Sequence, residues 1–332
     1  MTSNYKPPFT ITSEIVNLVA KIAAAVERLT FMKEPNLRLR KINRIKTIQG
    51  SLAIEGNTLG TEQITAILEG KPVMGTMREI QEVKNAIETY NHFENWNPYK
   101  VKDLLAAHQM LMKGLIDEAG KFRNSGVGVF SGDKIIHLAP PAQNVRGLIN
   151  DLLHWVANTD THPLIASAVF HYEFEFIHPF SDGNGRMGRL WQTLLLKRWN
   201  NWLGFLPVEN LIYQEQAAYY NAIQAANKDT DCAPFITYIL ERILASLAGV
   251  TPEVKPEVTP EVEKLLELMI KHTALSRSEV QELLQLKDEK NMRIRYISPA
   301  LKNGWIELTV PDKPNSRLQK YRITEKGRSI IL

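Results

Sequence analysis

The segment THPLIASAVFHYEFEFI, residues 161–177, constrains the fold more than any other. It opens with capping residue types and a proline, then runs apolar on nearly every side. A helix of that kind cannot lie on a surface. Other helices must surround it, so it belongs at the centre of a helical bundle. Segments able to surround it lie on both sides. SEIVNLVAKIAAAVERL (13–29), with Ser13 placed to cap it, repeats apolar residues at helical spacing. Residues 78–96, 101–115, 142–158, 185–200, 214–227 and 232–248 read as further helices. Residues 36–59 carry a basic face (Arg38, Arg40, Lys41, Arg44, Lys46) and then a glycine-containing end.

One stretch breaks this pattern. GKFRNSGVGVFSGDKIIHLAPP (120–141) has β-favouring residues, turn residues and no helical period. It reads as a short β-hairpin with SGD near its turn, ended by Pro140 and Pro141. Further on, GVTPEVKPEVTPEVEKL repeats Pro-Glu-Val as a semi-rigid spacer and marks a boundary at 249–258. Beyond it come a helix (260–273), a second helix capped by Ser276, a third within NMRIRYISPALKNGW, and two strands around a polar turn. Helix, helix, helix, hairpin is the order of a winged helix-turn-helix. The expected division is an N-terminal helical region (1–100), a helical core with the hairpin (101–248), the spacer (249–258) and the winged unit (259–332). The fold class is mainly α, with a small α+β unit at the C-terminal end.

Composition narrows the function classes. The chain has 332 residues, 44% hydrophobic and 23% charged, with a net charge of +4. A single cysteine, Cys232, excludes an internal disulfide and fits a reducing compartment. No apolar run approaches the roughly 20 residues that cross a membrane. MTSNYKPPFT lacks the layout of a signal peptide, so a cytoplasmic location without membrane attachment is expected. His154, His162 and His171 lack the partners of a zinc site and read as structural.

HPFSDGNGRMGR (178–189) holds the chemistry. It follows the central helix and opens the next. Helix N-termini present unpaired N–H groups and partial positive charge to an anion. Gly183 and Gly185 let the backbone come close to it. Arg186 and Arg189 are three apart, so both guanidinium forks can face phosphate oxygens. Asp182 can hold Mg²⁺, which takes one carboxylate plus phosphate oxygens. His178 can accept a proton near neutral pH. Base, metal ligand and anion cradle in one loop point to phosphate transfer.

This segment resembles the signature of the Fic family, His-x-Phe-x-(Asp/Glu)-Gly-Asn-Gly-Arg-x-x-Arg, at every fixed position. The resemblance extends over about residues 40–245. It implies an all-helical core with a hairpin flap, and transfer of AMP from ATP to a Ser, Thr or Tyr hydroxyl of a protein or of the chain itself. His178 is then the base and Asp182 the Mg²⁺ ligand. Asn184, with backbone N–H groups around Gly183 and Gly185, holds phosphate oxygens. Arg186 and Arg189 hold the β- and γ-phosphates, with Met187 and Gly188 inside the same turn, and pyrophosphate leaves. Phe180 anchors the loop. AAYYNAIQAAN (217–227) is similar to the stretch lining the nucleoside pocket, which makes Tyr219, Tyr220 and Asn227 candidates there. Packing is the competing reading for Tyr219. Ile135, Ile136 and His137 would dock the target by strand addition, or form a plain hairpin core.

Upstream, SLAIEGN (51–57) places Ser51 and Glu55 four apart, on one face of a helix end. It resembles the family's inhibitory pattern, (Ser/Thr)-x-x-x-Glu-(Gly/Asn), in which the glutamate pairs with the second motif arginine, here Arg189. The reverse reaction, removal of AMP from a modified protein, would use the same residues, and another nucleotide donor stays open. A homodimer is expected by the same resemblance. From residue 287 onward eleven Lys/Arg stand against five Asp/Glu. Arg293 and Arg295 in the third helix, with Lys313 and Arg317 in the wing, make DNA a candidate partner and a nucleotide-sensing regulator the competing reading.

Overall fold

The computed structural model describes residues 5–30, 37–126, 128–131, 134–250, 259–286, 288–313 and 316–331. It separates into two compact units, Met1–Thr251 and Pro252–Leu332. In the first, α1 (Ser13–Thr30), α2 (Leu37–Ile54), α3 (Thr61–Leu68), α4 (Met77–Asn91) and α5 (Val101–Leu111) precede the hairpin. Strands β1 (Gly128–Ser131) and β2 (Lys134–Leu138) form that hairpin. Then follow α6 (Ala142–Asn158), α7 (Pro163–Ile177), α8 (Asn184–Trp199), α9 (Val208–Gln214), α10 (Gln216–Asp229) and α11 (Ala233–Val250).

Helix α7 is the central helix that its composition requires. Its start is set by His162, whose side chain accepts from the Leu164 N–H, and by Pro163 at the first helical position. Every residue from Leu164 to Phe174 is buried. One side, through Leu164, Ala168 and Tyr172, packs into a core shared with α1 and α11. The other, through Phe170, Phe174 and Ile177, packs into a core shared with α4, α5, α6 and α8. Two cores meeting on one helix explain why a one-sided apolar stripe would not suffice.

Local signals set the other ends. Thr76 and Glu79 cap α4 reciprocally, each side chain bonding the other's backbone N–H at 3.2 and 3.1 Å. At α1 the cap falls one residue before Ser13: Thr12 Oγ1 accepts from the Ile15 N–H. Helices α3 and α9 have no counterpart among the expected elements. They are eight and seven residues long, so each shows only about two periods of a helical pattern. Helix α11 runs to Val250, into the start of the expected spacer, and residues 251–258 lie outside the described residues.

The hairpin is antiparallel, pairing Gly128 with Leu138 and Ser131 with Lys134, with an irregularity between Val129 and Phe130. Gly132 and Asp133 of its expected turn lie outside the described residues.

The second unit holds α12 (Pro260–Ile270), β3 (Leu275–Ser276) and α13 (Arg277–Leu283). Its third helix runs as α14 (Glu289–Met292), a π-turn (Arg293–Ile297) and α15 (Ser298–Lys302). Strands β4 (Ile306–Leu308) and β5 (Lys320–Ile323) and helix α16 (Glu325–Ile331) complete it. Ser276 and Glu279 form the capping box at α13. The expected order of three helices and a hairpin is present. Strand β3 adds a third member, in the order β3-β5-β4. The unit closes over Leu265, Leu266, Val280, Met292 and Trp305.

Behind α7, Phe235 of α11 is fully buried, its ring centroid 5.1 Å from that of His171 and 5.8 Å from those of Tyr172 and Tyr219. Phe235→Ala leaves a cavity where these elements meet, and a loss of about 3–5 kcal/mol is expected. Urea unfolding followed by tryptophan fluorescence measures it. A loss under about 1 kcal/mol would show that this face is not tightly packed.

Candidate active site

The loop between α7 and α8 is held by groups other than its chemical ones. Phe180 is fully buried and stacks on the His108 ring, with centroids 3.6 Å apart and planes 3° apart. Asn184 Nδ2 donates to the Phe180 carbonyl at 2.9 Å, and Asn184 Oδ1 accepts from the Phe180 N–H at 2.9 Å. This corrects one expectation. The Asn184 carboxamide is buried and bonded to the loop backbone through both its oxygen and its nitrogen, so it is turned to the loop rather than to an anion. Only its backbone N–H is left for that task, at the first turn of α8. Gly183 turns the chain with φ +83°, a region costly for any residue with a Cβ. Met187 is also corrected. Its side chain is core, and its N–H already donates to the Gly183 carbonyl at 3.0 Å. Gly188 serves close packing of α8 against Glu175 and His171 of α7.

His178 ends α7 in the left-handed region, with φ 49° and ψ 63°. Its Nδ1 lies 3.3 Å from the Glu175 carbonyl. A carbonyl only accepts, so Nδ1 carries the proton in the neutral ring and the basic lone pair is on Nε2. Asp182 is 38% exposed. One oxygen accepts from the Gly183 N–H at 2.6 Å and pairs with Arg186 at 3.0 Å, and the other pairs with Arg78 at 3.2 Å. Arg186 reaches on to Glu82 at 3.3 Å. A single, partly exposed carboxylate suits Mg²⁺, which takes most of its ligands from water and phosphate and would share Asp182 with Arg78 and Arg186. No cage of three or more acidic, histidine or cysteine groups exists among the described residues.

Arg189 lies three residues after Arg186 but faces different partners. Its guanidinium is 1% exposed. It donates to Glu55 Oε1 at 2.7 Å, to the Ser51 carbonyl at 3.0 Å and to Ser51 Oγ at 3.3 Å. Ser51 and Glu55 therefore do meet on Arg189, although α2 ends at Ile54 and Glu55 belongs to the turn beyond it. Burial alone would lower the Arg189 pKa. The Glu55 charge and hydrogen bond outweigh it and hold the group firmly protonated. The Glu55 carboxylate also covers the first turn of α8, where a Cβ on Gly185 would collide with its oxygen. It thus occupies ground beside the N–H groups expected to take phosphate.

Helix α10 divides its candidates. Tyr219 is 2% exposed, and its hydroxyl lies 3.1 Å from His171 Nε2, so it is a core residue rather than a nucleoside contact. Tyr220 is 41% exposed and stays available. Asn227 is half-buried, and its Oδ1 accepts from the Tyr172 hydroxyl at 2.8 Å. Ile135, Ile136 and His137 lie on β2, but their side chains fall outside the described residues. No third strand joins the hairpin among the described residues. In the second unit, Arg295 pairs with Glu261 at 3.7 Å, which takes up part of the charge expected to face DNA. Arg293 and Lys313 are exposed. Arg317 lines, with Arg277, Ser278 and Ser316, a polar recess of about 390 Å³.

Four supporting residues escape any sequence pattern. Arg78 and Glu82 brace Asp182 and Arg186, while His108 and Arg123 brace the loop backbone. His108 Nε2 donates to the Asp182 carbonyl at 3.0 Å, and its Nδ1 accepts from the Gly120 N–H at 2.9 Å. Burial pushes its pKa down to about 4, so it is neutral. These residues lie 55 to 104 positions from the groups they hold, and no spacing rule spans that range.

The model of the Fic/DOC family matches residues 98–196. That of the "Filamentation induced by cAMP protein Fic-like, C-terminal domain" matches 260–324. "Protein adenylyltransferase Fic" of Aedes aegypti is 32% identical over 231 residues, covering 65% of this chain and 44% of that protein. "Protein adenylyltransferase fic-1" of Caenorhabditis briggsae is 33% identical over 214 residues, covering 59% and 39%. The chain thus spans less than half the length of these curated relatives. A crystal structure of a Fic family protein from Desulfovibrio desulfuricans G20 superposes with a TM-score of 0.73 at 49% identity, covering 97% of this chain and 99% of that one.

One acid beside Arg189 is electrostatically unusual. Among the described residues, one buried Glu175 oxygen has no hydrogen-bond partner. Burial pushes its carboxyl up to about 8, although Arg189 pulls the other way. Between the ordinary glutamate value of about 4 and about 8, the folded chain keeps a proton that the unfolded chain has lost. Stability therefore falls as pH rises through that window. Glu175→Gln removes this titration, so wild type should lose more stability than the variant between pH 5 and 8 in urea unfolding. Equal losses would show that Glu175 is ionised in the fold.

Proposed function

The chain belongs to the Fic family, and on that premise we propose that it transfers AMP from ATP to a protein hydroxyl, its own included, and is held in check by Glu55. The observation that carries the reading is the 2.7 Å pair between Glu55 and Arg189, with the Glu55 carboxylate lying over Gly185 at the start of α8.

The attacking hydroxyl oxygen bonds to the α-phosphorus and gives its proton to His178 Nε2. The bond from the α-phosphorus to the bridging oxygen breaks in line, and pyrophosphate leaves. Backbone N–H groups in the first turn of α8 take oxygens of the transferring phosphate. Arg186 and Arg189 take the terminal phosphates, and Tyr220 and Asn227 lie towards the nucleoside. Positioning and charge stabilisation carry such a step. Asp182, partly exposed and braced by Arg78 and Arg186, would hold Mg²⁺, which when bound supplies further charge neutralisation. With Glu55 on Arg189, the terminal phosphate lacks one clamp and finds a carboxylate in its place. ATP then seats poorly for transfer. The same carboxylate, 32% exposed, could orient water for the reverse reaction on an AMP-modified protein.

A charge-assisted hydrogen bond of about 1.5–3 kcal/mol corresponds to roughly 10- to 100-fold in rate. Glu55→Gly should raise incorporation of labelled AMP into the chain by that factor, and a mass increase of one AMP identifies the reaction. An unchanged rate would dismiss Glu55 as the inhibitor. In the same background, His178→Ala should lower transfer by about 10²–10⁴ while ATP binding persists. Retained transfer would remove His178 from the role of base. AMP release from modified protein by wild type, lost in Glu55→Gly, would favour the reverse reaction.

A further inference from the structure

We infer that Arg123 is a positioning residue that ties the hairpin to the turn carrying His178. Arg123 is 4% exposed. Its Nε donates to the His178 carbonyl at 2.7 Å, and one terminal nitrogen donates to the Ile177 carbonyl at 3.3 Å. Its own backbone N–H donates to the Pro179 carbonyl at 3.0 Å. Three successive carbonyls around the base are thus held by one residue. The same guanidinium reaches both ends of the hairpin. It donates to the Ser125 carbonyl at 2.8 Å, just before β1, and to the Pro140 carbonyl at 2.5 Å, just after β2.

Every one of these partners is a backbone carbonyl, and none is a carboxylate. Burial lowers the Arg123 pKa, with no charged neighbour offsetting it among the described residues. An enclosed cation without a counter-ion is an expensive way to add stability. Its value lies in geometry instead: a planar fork meets several acceptors at fixed angles, which a lysine cannot reproduce. One acceptor belongs to His178, whose left-handed backbone a non-glycine residue adopts only when its surroundings hold it there. The base and the strand proposed to align the target are therefore set by one group.

This inference rests on the proposed transfer reaction, and its test separates the two. In the Glu55→Gly background, Arg123→Met should lower the kcat of self-transfer at least tenfold, with the KM for ATP changed less than threefold. The clamps on ATP, Arg186 and Arg189, make no hydrogen bond or ion pair with Arg123 among the described residues. Arg123→Lys, which keeps the charge and part of the bonding, should fall between. Equal changes in kcat and in the KM for ATP, or no change in either, would overturn the assignment. Hydrogen exchange read by mass spectrometry tests the tie without any activity. In full-length Arg123→Met, peptides covering 176–181 and those covering the hairpin should lose protection together, while 260–302 stays unchanged. Loss in only one of the two segments, or in neither, would refute the coupling. If Glu55→Gly shows no transfer at all, the functional reading fails, and exchange still decides whether Arg123 joins base and hairpin.

Discussion

The buried guanidinium of Arg189 is answered by a negative charge. A cation taken out of water without a partner costs several kcal/mol. The chain answers it with Glu55 and with both oxygens that Ser51 can offer. The pairing of Glu55 with Arg189 therefore also serves the stability of the fold. A phosphate can replace Glu55 because it offers the same kind of acceptor to the same fork. On the proposed reading, inhibition and stability are then one contact, and relief of one loosens the other.

The surroundings of Arg189 reinforce this. Glu175 lies close enough to feel its charge, yet burial keeps that carboxyl protonated near neutral pH. An ionised Glu175 would be a second rival to Glu55 for Arg189. His171, also buried and in the same field, has its pKa lowered to about 3 and is neutral. Arg189 thus keeps one principal charged partner, and the fold spends desolvation on its neighbours to keep matters so.

Much of this was legible in the chain before folding. The all-round apolar character of residues 163–177 called for a central helix, and HPFSDGNGRMGR marked the loop that carries the proposed base, metal ligand and clamps. The pairing of Ser51 and Glu55 with Arg189 came from a resemblance, and the structure brings the three together. Other roles were not legible. Asn184 carries a polar side chain in a loop rich in chemistry, yet it staples that loop to itself. Tyr219 and Tyr220 are adjacent in sequence, and only the rotation of α10 buries the first and exposes the second. Helices α3 and α9 are too short to show a period. His108 and Arg123 act on backbone carbonyls, and a carbonyl has no residue type to read.

By itself, the sequence determined which chemical groups are present and which helix must be enclosed, because side-chain type and periodicity are local properties. Which groups face the reaction was left to the tertiary structure. Arg186 and Arg189 stand on one helix, three residues apart, yet one braces Asp182 and the other meets Glu55. That division depends on what α2 and α4 bring against each face of α8. A pairwise contact between distant segments is decided by how the whole core packs, and no local stretch of the chain encodes it.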